Sequence, residues 1–269
     1  MPLAVCATPI GNLADVTLRV LEELRTAELV LCEDTRHTRL LLDRHGIAAR
    51  VSSYHGHNEA ERVAEVMPRL LAGERVALVS DAGLPGISDP GLLLVRAALS
   101  AGVPVTVLPG PSAVETALVA SGLVSERYAF VGFLPRRAAE LAALWRELGG
   151  WGWPVVAFES PKRLPASLRS LASASPEREL AVCRELTKRF EEIVRGSASE
   201  LAARFSEAPK GEVTLVLGPE PARQDAAAAG DAVRAVADLV ASGTPRKVAA
   251  EVVSRLTGLP RNELYRSSL

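Results

Sequence analysis

Short apolar runs alternate with helical patterns along the first 110 residues of this chain, and this alternation restricts the fold more than any other feature. The predicted strands are Leu3–Ala7, Leu29–Glu33, Val51–Tyr54, Val76–Ser80 and Val105–Leu108. The segments between them repeat apolar side chains at helical spacing and predict helices at Val16–Ala27, Thr35–Arg44, Glu59–Ala72 and Leu92–Ala101. This rhythm is typical of a parallel sheet covered by helices, and it predicts an α/β fold.

The second half of the chain is predicted to form a second α/β domain with a mixed sheet. The neighbouring short strands Leu180–Arg184 and Phe190–Arg195 indicate a hairpin. The other predicted elements are the strands Tyr128–Phe133, Val155–Phe158 and Val213–Leu217 and the helices Ala113–Ser121, Arg136–Leu148, Lys162–Ala172 and Ala198–Phe205. We therefore expect one domain over residues 1–115 and another over residues 116–218.

The end of the chain is predicted to hold a linker and a small helical module. Residues 219–230, with four consecutive alanines, read as the linker, and three amphipathic segments follow over residues 231–269. Their spacing is compatible with a helix-turn-helix unit and equally with a helical cap on the second domain. Between Gly243 and Leu269 five basic residues stand against two acidic ones, so this segment carries +3 and the rest of the chain −4. Such a module is suited to contacts with phosphate groups.

Two turns made almost entirely of Gly, Pro, Ser and Asp connect predicted strands to predicted helices. They are Ser80–Gly91 and Pro109–Ala113. Turns of this composition are best explained as places where the backbone approaches a ligand at the carboxyl ends of parallel strands. Neither turn contains Lys or Arg, and the chain has neither the dinucleotide-binding fingerprint nor the P-loop fingerprint. We therefore expect a nucleoside-like cofactor without phosphate groups.

Composition excludes several classes of protein. The 269 residues are 48% hydrophobic, enough for a substantial core, and the net charge of −1 excludes a uniformly basic nucleic-acid-binding protein. Cys6, Cys32 and Cys183 lie within or at the end of apolar runs and are expected to be reduced core residues. We find no basic leader and no apolar stretch near the roughly 20 residues of a membrane span, so we expect a cytoplasmic protein that does not bind membranes.

Eight sequence motifs resemble those of one superfamily. They are Val5–Leu13, Cys32–Arg36, Ser53–Glu59, Ser80–Gly91, Pro109–Ala113, Glu159–Leu164, Arg184–Lys188 and Gly211–Thr214. By these motifs the chain resembles the tetrapyrrole methylases over roughly residues 3–218, and within them the bacterial 16S rRNA cytidine 2′-O-methyltransferases. The two turns are typical of the whole superfamily, whereas Glu33–Arg36, Ser53–Glu59 and Glu185–Lys188 indicate the RNA branch. The resemblance implies a class III methyltransferase fold, in which two α/β domains of the tetrapyrrole methylase type enclose S-adenosylmethionine in the cleft between them.

The resemblance also assigns residues to the cofactor and to the RNA. Asp81, Ala82, Gly83 and Leu84 are expected to contact the methionyl or ribose part, Ser112 and Ala113 the neighbouring part, and Leu186 and Val213 the adenine. Leu84 stands where relatives often carry Thr, so backbone contacts would survive there and a hydroxyl contact would not. The candidate substrate-binding residues are Pro9, Gly11, Asn12, Glu33, Arg36, His57, Asn58, Lys162, Arg163, Arg184 and Glu185.

Methyl transfer to a ribose 2′-hydroxyl requires removal of the hydroxyl proton as the new bond forms. Asp34, His55 and Lys188 are the candidate bases, Lys188 only if its ammonium is desolvated. Asp34 is equally suited to cap the helix that begins at Thr35, and adjacent basic residues are usually a solvated face. A metal held by His55 and His57 is not expected, because no third ligand stands at a recognisable spacing.

The resemblance further implies a homodimer and a substrate that is 16S rRNA or the small ribosomal subunit. Two alternatives stay open on sequence alone. One is a methyltransferase for a tetrapyrrole or another small molecule, and the other is a nucleoside- or RNA-binding module without catalysis.

Overall fold

The first sheet is parallel throughout. In this computed structural model, which describes residues 2–220 and 226–268, its strands are β1 (Leu3–Cys6), β2 (Leu29–Cys32), β3 (Val51–Ser53), β4 (Val76–Val79) and β5 (Val105–Leu108). Their order is β3-β2-β4-β1-β5, and every neighbouring pair is parallel. The connecting helices are α1 (Leu18–Thr26), α2 (Thr35–Arg44), α3 (Glu59–Leu71) and α4 (Leu92–Ser100). The alternation predicted from sequence is confirmed.

Helices cover both faces of this sheet because its central strands are apolar at every position. All residues of β1, β2 and β4 are buried. Leu24 of α1 and Leu41 of α2 pack into the core on one face, and Leu70 of α3 and Leu94 of α4 pack into the core on the other. The carboxyl ends of the strands and the loops that follow them therefore meet at one edge.

The second sheet is mixed, as predicted. Its strands are β6 (Ala129–Phe133), β7 (Val155–Glu159), β8 (Glu179–Arg184), β9 (Glu192–Ser197) and β10 (Val213–Leu217). They lie in the order β6-β7-β10-β8-β9, with β6 and β7 parallel and the other pairs antiparallel. The hairpin of β8 and β9 is confirmed, although β9 begins two residues later than the sequence pattern indicated.

Helices pack on the second sheet as well. They are α5 (Ala113–Ser121), α6 (Ala138–Leu148), α7 (Leu164–Ala174) and α8 (Ala198–Arg204). Helices α6, α7 and α8 enclose the main core of this sheet, around Trp145, Leu168 and Leu201. Helix α5 buries Leu118 in a separate core with Val156 and Val216 of the sheet. Both sheets lie in one compact unit that ends at residue 220, and the division near residue 115 stays a prediction.

A second compact unit begins at residue 221 and is helical. It contains α9 (Ala226–Ala241), α10 (Arg246–Thr257) and α11 (Arg261–Ser267), which share a core around Val236, Val253 and Leu264. The linker predicted over residues 219–230 is wrong from Ala226 onward, because the alanine run begins α9. Alanine has the highest helix propensity, so this run favours a helix. The rest of that prediction, residues 221–225, lies outside the described residues.

Burial explains the behaviour of the cysteines. Cys6, Cys32 and Cys183 are buried free thiols. Burial raises the pKa values of Cys6 and Cys183 to about 12, so both stay protonated and unreactive at neutral pH.

Over residues 2–220 and 226–268, none of the helices combines the length and the apolar character needed to cross a bilayer.

Candidate cofactor and substrate cleft

A cavity of about 770 Å³ lies between the carboxyl edge of the first sheet and the second sheet. The loops after β1, β4 and β5 form one wall, and residues of β6, β7, β8 and β10 form the other. Its volume is within the range of small-molecule sites, and its position at the carboxyl ends of parallel strands is where α/β proteins bind ligands. None of the described residues that line it is Lys or Arg.

The structure brings together all eight residues expected to contact the cofactor. Asp81, Ala82, Gly83, Leu84, Ser112, Ala113, Leu186 and Val213 line this one cavity. They come from two loops of the first sheet, from the β8–β9 loop and from β10. Residues separated by more than 130 positions in the sequence thus line the same cavity.

Hydrogen bonds fix the Ser80–Gly91 turn. Thr8 and Gly83 exchange two backbone hydrogen bonds, with N···O distances of 2.8 and 3.0 Å. The Thr8 hydroxyl also donates to the Ser80 carbonyl at 3.0 Å. Gly83 has a φ of +79°, a conformation that side-chain-bearing residues rarely adopt. The turn therefore presents its backbone to the cavity in one conformation.

The loop that carries Leu186 has an unusual backbone. Glu185 and Thr187, on either side of Leu186, have φ values of +53° and +65°. Among the described non-glycine residues only Ser88, which lines the same cavity, shares a positive φ. Such conformations persist where surrounding contacts enforce them, and they cluster at functional sites. Here the Glu185 carboxylate accepts hydrogen bonds from the Glu212 N–H and the Lys188 ammonium, both at 2.9 Å.

None of the three candidate bases lines the cavity. The Asp34 carboxylate caps α2 and accepts hydrogen bonds from the backbone N–H and the guanidinium of Arg36, which hold its pKa well below the usual range. The His55 N–H donates to the Asn58 side chain at 2.8 Å, and His55 Nδ1 is buried without a hydrogen-bond partner in the described part of the chain.

Lys188 is paired rather than free. Its ammonium lies 2.9 Å from the Glu185 carboxylate and 3.2 Å from that of Glu212. Partial burial lowers the pKa of Lys188, but the hydrogen bond to Glu185 and the charge of Glu212 outweigh that effect and raise it above the usual value. A lysine that stays protonated cannot accept a proton, so we do not propose Lys188 as the base.

Several candidate substrate-binding residues have structural partners. Gly11 packs so closely that an added Cβ would lie 2.6 Å from Lys188 Cγ and 2.9 Å from the Leu186 carbonyl oxygen. The Asn12 side chain caps the 3-10 turn Leu13–Asp15, and Asn58 bonds to the backbone of the neighbouring loop. Pro9 lines a smaller cavity next to Thr8, and His57 is exposed.

Carboxylates neutralise most of the basic residues that were expected to contact phosphates. Arg36 pairs with Asp34 at 2.6 Å, Arg163 with Glu159 at 3.0 Å and Arg184 with Glu192 at 2.9 Å. Lys162 is exposed. The described residues include no group of three His, Cys, Asp or Glu side chains placed to hold a metal ion.

Asp89 is a cavity residue that the motif analysis missed. It lines the cavity near Asp81, and burial together with the charge of Glu33 raises its pKa to about 6. Burial and the charge of Asp81 raise the pKa of Glu33 as well. The spacing of the turn gives no sign that these three carboxylates influence one another, because Glu33 follows a different strand.

An aromatic wall was also missed. Tyr128, Phe130, Phe133 and Phe158 line the cavity, so three of the five phenylalanines of the chain lie at one site. The ring centroid of Phe158 is 4.9 Å from that of Phe130 and 5.4 Å from that of Phe133, in edge-to-face geometry. The scarcity of aromatic residues, 4% of the chain, was the signal that could have directed attention to this cluster.

Comparisons with known proteins agree with this geometry. The family of tetrapyrrole (corrin/porphyrin) methylases matches residues 2–202. Proteins named ribosomal RNA small subunit methyltransferase I are similar over nearly the whole chain. That of Mesorhizobium japonicum is 44% identical over 99% of this chain and 91% of its own length, and that of Escherichia coli O157:H7 is 40% identical over 99% and 94%. A crystal structure of uroporphyrin-III C-methyl transferase from Thermus thermophilus, complexed with S-adenyl homocysteine, has the same fold with a TM-score of 0.59 and 18% identity, over 81% of this chain and 97% of that one.

Proposed function

This chain belongs to the tetrapyrrole methylase family, and on that basis we propose that it methylates a cytidine 2′-hydroxyl of 16S ribosomal RNA. Family membership makes it an S-adenosylmethionine-dependent methyltransferase. The observation that carries the choice of substrate is the identity of 40–44% over nearly the full chain with relatives named as methyltransferases of small-subunit ribosomal RNA. That match includes the segments that distinguish the RNA branch, Glu33–Arg36 and Glu185–Lys188.

The lining of the cavity fits S-adenosylmethionine. Ile10, Leu186 and Val213 provide apolar surface suited to the adenine, and Asp81 provides a carboxylate near which a sulfonium is favourable. The lack of Lys and Arg among the described lining residues suits a cofactor without phosphates. When bound, S-adenosylmethionine supplies a methyl group that is open to nucleophilic attack.

We propose Asp89 as the acceptor of the hydroxyl proton. The other carboxylates of the cavity wall are already engaged by donors or cations of the protein. Glu159 is buried against Arg163, Glu212 pairs with Lys188, Glu115 accepts hydrogen bonds from Ser112 and Tyr128, and Asp81 accepts one from the Asp34 N–H. Asp89 is half-buried, and burial together with the charge of Glu33 raises its pKa to about 6, so it accepts a proton more readily than an ordinary carboxylate does. A base whose pKa lies near the working pH transfers protons efficiently.

The protein also promotes the reaction by aligning the ribose hydroxyl with the methyl group. A ribose hydroxyl is a poor nucleophile, so the oxygen must lie in line with the bond between the methyl carbon and its leaving group. The fixed Ser80–Gly91 turn borders the cavity from the first sheet, and the loop at Leu186 and the aromatic wall border it from the second. The mostly apolar lining of the cavity also disfavours water, which would compete as a nucleophile.

Four finer statements complete the proposal. The substrate is 16S rRNA or the assembled small subunit, and the protein acts in the cytoplasm where that RNA is found. The basic C-terminal unit contributes phosphate contacts. The protein is a homodimer, as the resemblance implies, and light scattering on the purified protein tests this.

The test of the proposed function is methyl transfer to defined acceptors. Purified protein is incubated with tritiated S-adenosylmethionine and, in parallel, 30S subunits, naked 16S rRNA and a tetrapyrrole precursor. We expect label in RNA, and we expect it in a dinucleotide that resists alkaline hydrolysis, because a 2′-O-methyl group blocks cleavage at that position. Label in the tetrapyrrole alone, or in none of the acceptors, contradicts the proposal.

A further inference from the structure

We propose that the ring of Phe133 is the surface on which the base of the target nucleotide stacks. This inference rests on the proposed RNA methylation and assigns a substrate-positioning residue for it. Phe133 is the last residue of β6, lines the cavity and is 60% exposed. It lies on the wall formed by the second sheet and is not among the eight residues expected to contact the cofactor.

A β-bulge directs the Phe133 side chain toward the cavity. The pairing register of β6 with β7 shifts between Phe130 and Phe133, and Gly132 at the shift has a φ of +69°. In an unbroken strand, residues three apart point to opposite faces. Here both rings contact Phe158, at centroid distances of 4.9 Å and 5.4 Å. The bulge has therefore moved Phe133 to the cavity face.

The backbone beyond Phe133 is fixed by hydrogen bonds. The Leu134 N–H donates to the Phe158 carbonyl at 3.0 Å. The Arg163 guanidinium donates to the carbonyls of Leu134 and Pro135 at 2.6 and 3.0 Å and is ion-paired with the fully buried carboxylate of Glu159. A ring whose backbone is already held loses little conformational entropy when a partner stacks on it.

The bulge also faces the turn that borders the cofactor end. An added Cβ at Gly132 would lie 3.6 Å from the Ser88 hydroxyl oxygen, so the two walls approach each other at this point. Ser88 is adjacent to Asp89, the proposed proton acceptor. A base stacked on Phe133 therefore brings its own ribose toward the end of the cavity where the proton must be accepted.

The chemistry of this wall suits a nucleobase. Clustered aromatic surface in a cavity is typical of a ligand-binding site, and Phe133 is the most exposed of the three phenylalanines that line this one. Every base has an aromatic face, and stacking on an aromatic side chain contributes about 1–3 kcal/mol per base. Enzymes that modify RNA nucleotides commonly take the target base out of its stack, and an aromatic platform compensates for that cost.

The first test compares Phe133→Ala with Phe133→Tyr. We expect Phe133→Ala to reduce kcat/KM for 30S subunits roughly 10- to 100-fold, mainly through KM, and Phe133→Tyr to retain activity within about threefold. Affinity for S-adenosylmethionine, measured by calorimetry, should be unchanged in both. Leu71→Ala is the matched control, because Leu71 is 62% exposed on α3 and does not line the cavity.

The second test observes stacking directly. In Phe133→Trp the new indole should be quenched when cytidine 5′-monophosphate is added, beyond any change seen with the three native tryptophans of the unsubstituted protein. Normal kcat/KM in a folded Phe133→Ala protein, or a loss of cofactor affinity or of oligomeric state in that variant, would overturn this inference while the methyltransferase proposal stands. Absence of transfer to RNA by the unsubstituted protein would overturn both.

Discussion

The Lys188 ammonium and the Glu185 carboxylate lie 2.9 Å apart at the base of the loop that carries Leu186 into the cavity. The pair holds a backbone in which Glu185 has a φ of +53°. Its significance is positional. The lysine stays protonated, and its ion pair holds the loop that carries Leu186, a residue expected to contact the cofactor.

We therefore predict that Lys188→Met weakens S-adenosylmethionine binding about 3- to 10-fold, because the loop at Leu186 loses a charged hydrogen bond. Lys188→Arg should retain most of the affinity. Calorimetry measures both, and the pH dependence of the rate should be the same in all three proteins. A rate limb near neutral pH that disappears only in Lys188→Met would restore Lys188 as a candidate base.

Asp89→Asn should lower kcat by about 10²-fold or more while cofactor affinity stays within a few fold. In the unsubstituted protein kcat should rise with pH through about 6 and then level off, because Asp89 acts as a base only when ionised. That limb should be lost in the variant. Asp34→Asn is the comparison, since Asp34 caps α2 outside the cavity. Equal losses in the two variants would argue against a special role for Asp89.

The raised pKa of the Asp89 carboxyl also predicts a pH dependence of the free energy of unfolding. Asp89 binds its proton more tightly in the folded chain, where its pKa is about 6, than in the unfolded chain, where it is near the ordinary value of 3.8. The unfolded state therefore releases this proton first as pH rises, and the free energy of unfolding falls between about pH 4 and pH 6. Asp89→Asn removes this loss. Its melting temperature should exceed that of the unsubstituted protein at pH 7.5, and the difference should shrink toward pH 4.

A substitution at Ala82 tests directly whether the cofactor binds in this cavity. It is exposed, lines the cavity and has no positive φ, so Ala82→Phe should fill the space without backbone strain. We expect S-adenosylmethionine affinity to fall at least roughly 30-fold, by steric exclusion that costs more than 2 kcal/mol. Gly83 is unsuitable for this purpose because any side chain there would strain the turn. Ala60→Phe, at an exposed position on α3, is the control, and undiminished binding in Ala82→Phe would mean that the cofactor lies elsewhere.

The C-terminal unit should be tested by charge rather than by truncation. Lys247, Arg261 and Arg266 are exposed, so replacing all three with Gln should leave the shared core around Val253 intact. We expect weaker RNA binding and a flatter dependence on salt, with the slope of log K against log salt reduced by about 0.7–0.9 for each lost phosphate contact. Cofactor affinity and melting temperature should be unchanged. An identical salt slope would favour a purely structural helical cap.

Local patterns predicted the secondary structure well because the central strands are apolar throughout and the helices carry clear periodicity. The alanines from Ala226 were misjudged, since low complexity and high helix propensity occur in the same residues. The motif resemblance placed eight residues that share one cavity, because a turn such as Ser80–Gly91 is contiguous in sequence. Asp89 and Phe133 were not predicted as site residues. The features that single them out depend on Glu33 and Phe158, which come near them only in the folded chain.

The ion pairs could not be predicted either. Arg163 and Arg184 resemble free cations in the sequence, and their carboxylate partners are set by side-chain packing after folding. For Asp34 the sequence offered two interpretations, a general base and a helix cap, and the structure shows the cap. The role of each of these charged residues depends on the partner that lies next to it in space, and the sequence does not show that partner.

Strand β6 pairs only with β7 within the described sheet, so Phe130 and Phe133 of the aromatic wall lie on an edge strand. Four of the eight residues expected to contact the cofactor, Asp81–Leu84, follow β4 of the other sheet, and β4 lies between β2 and β1. Substitutions or insertions along β6 can thus change the surface proposed to receive the base, while the turn that follows the central strand β4 stays the same. A change of acceptor then requires no change at the centre of the first sheet.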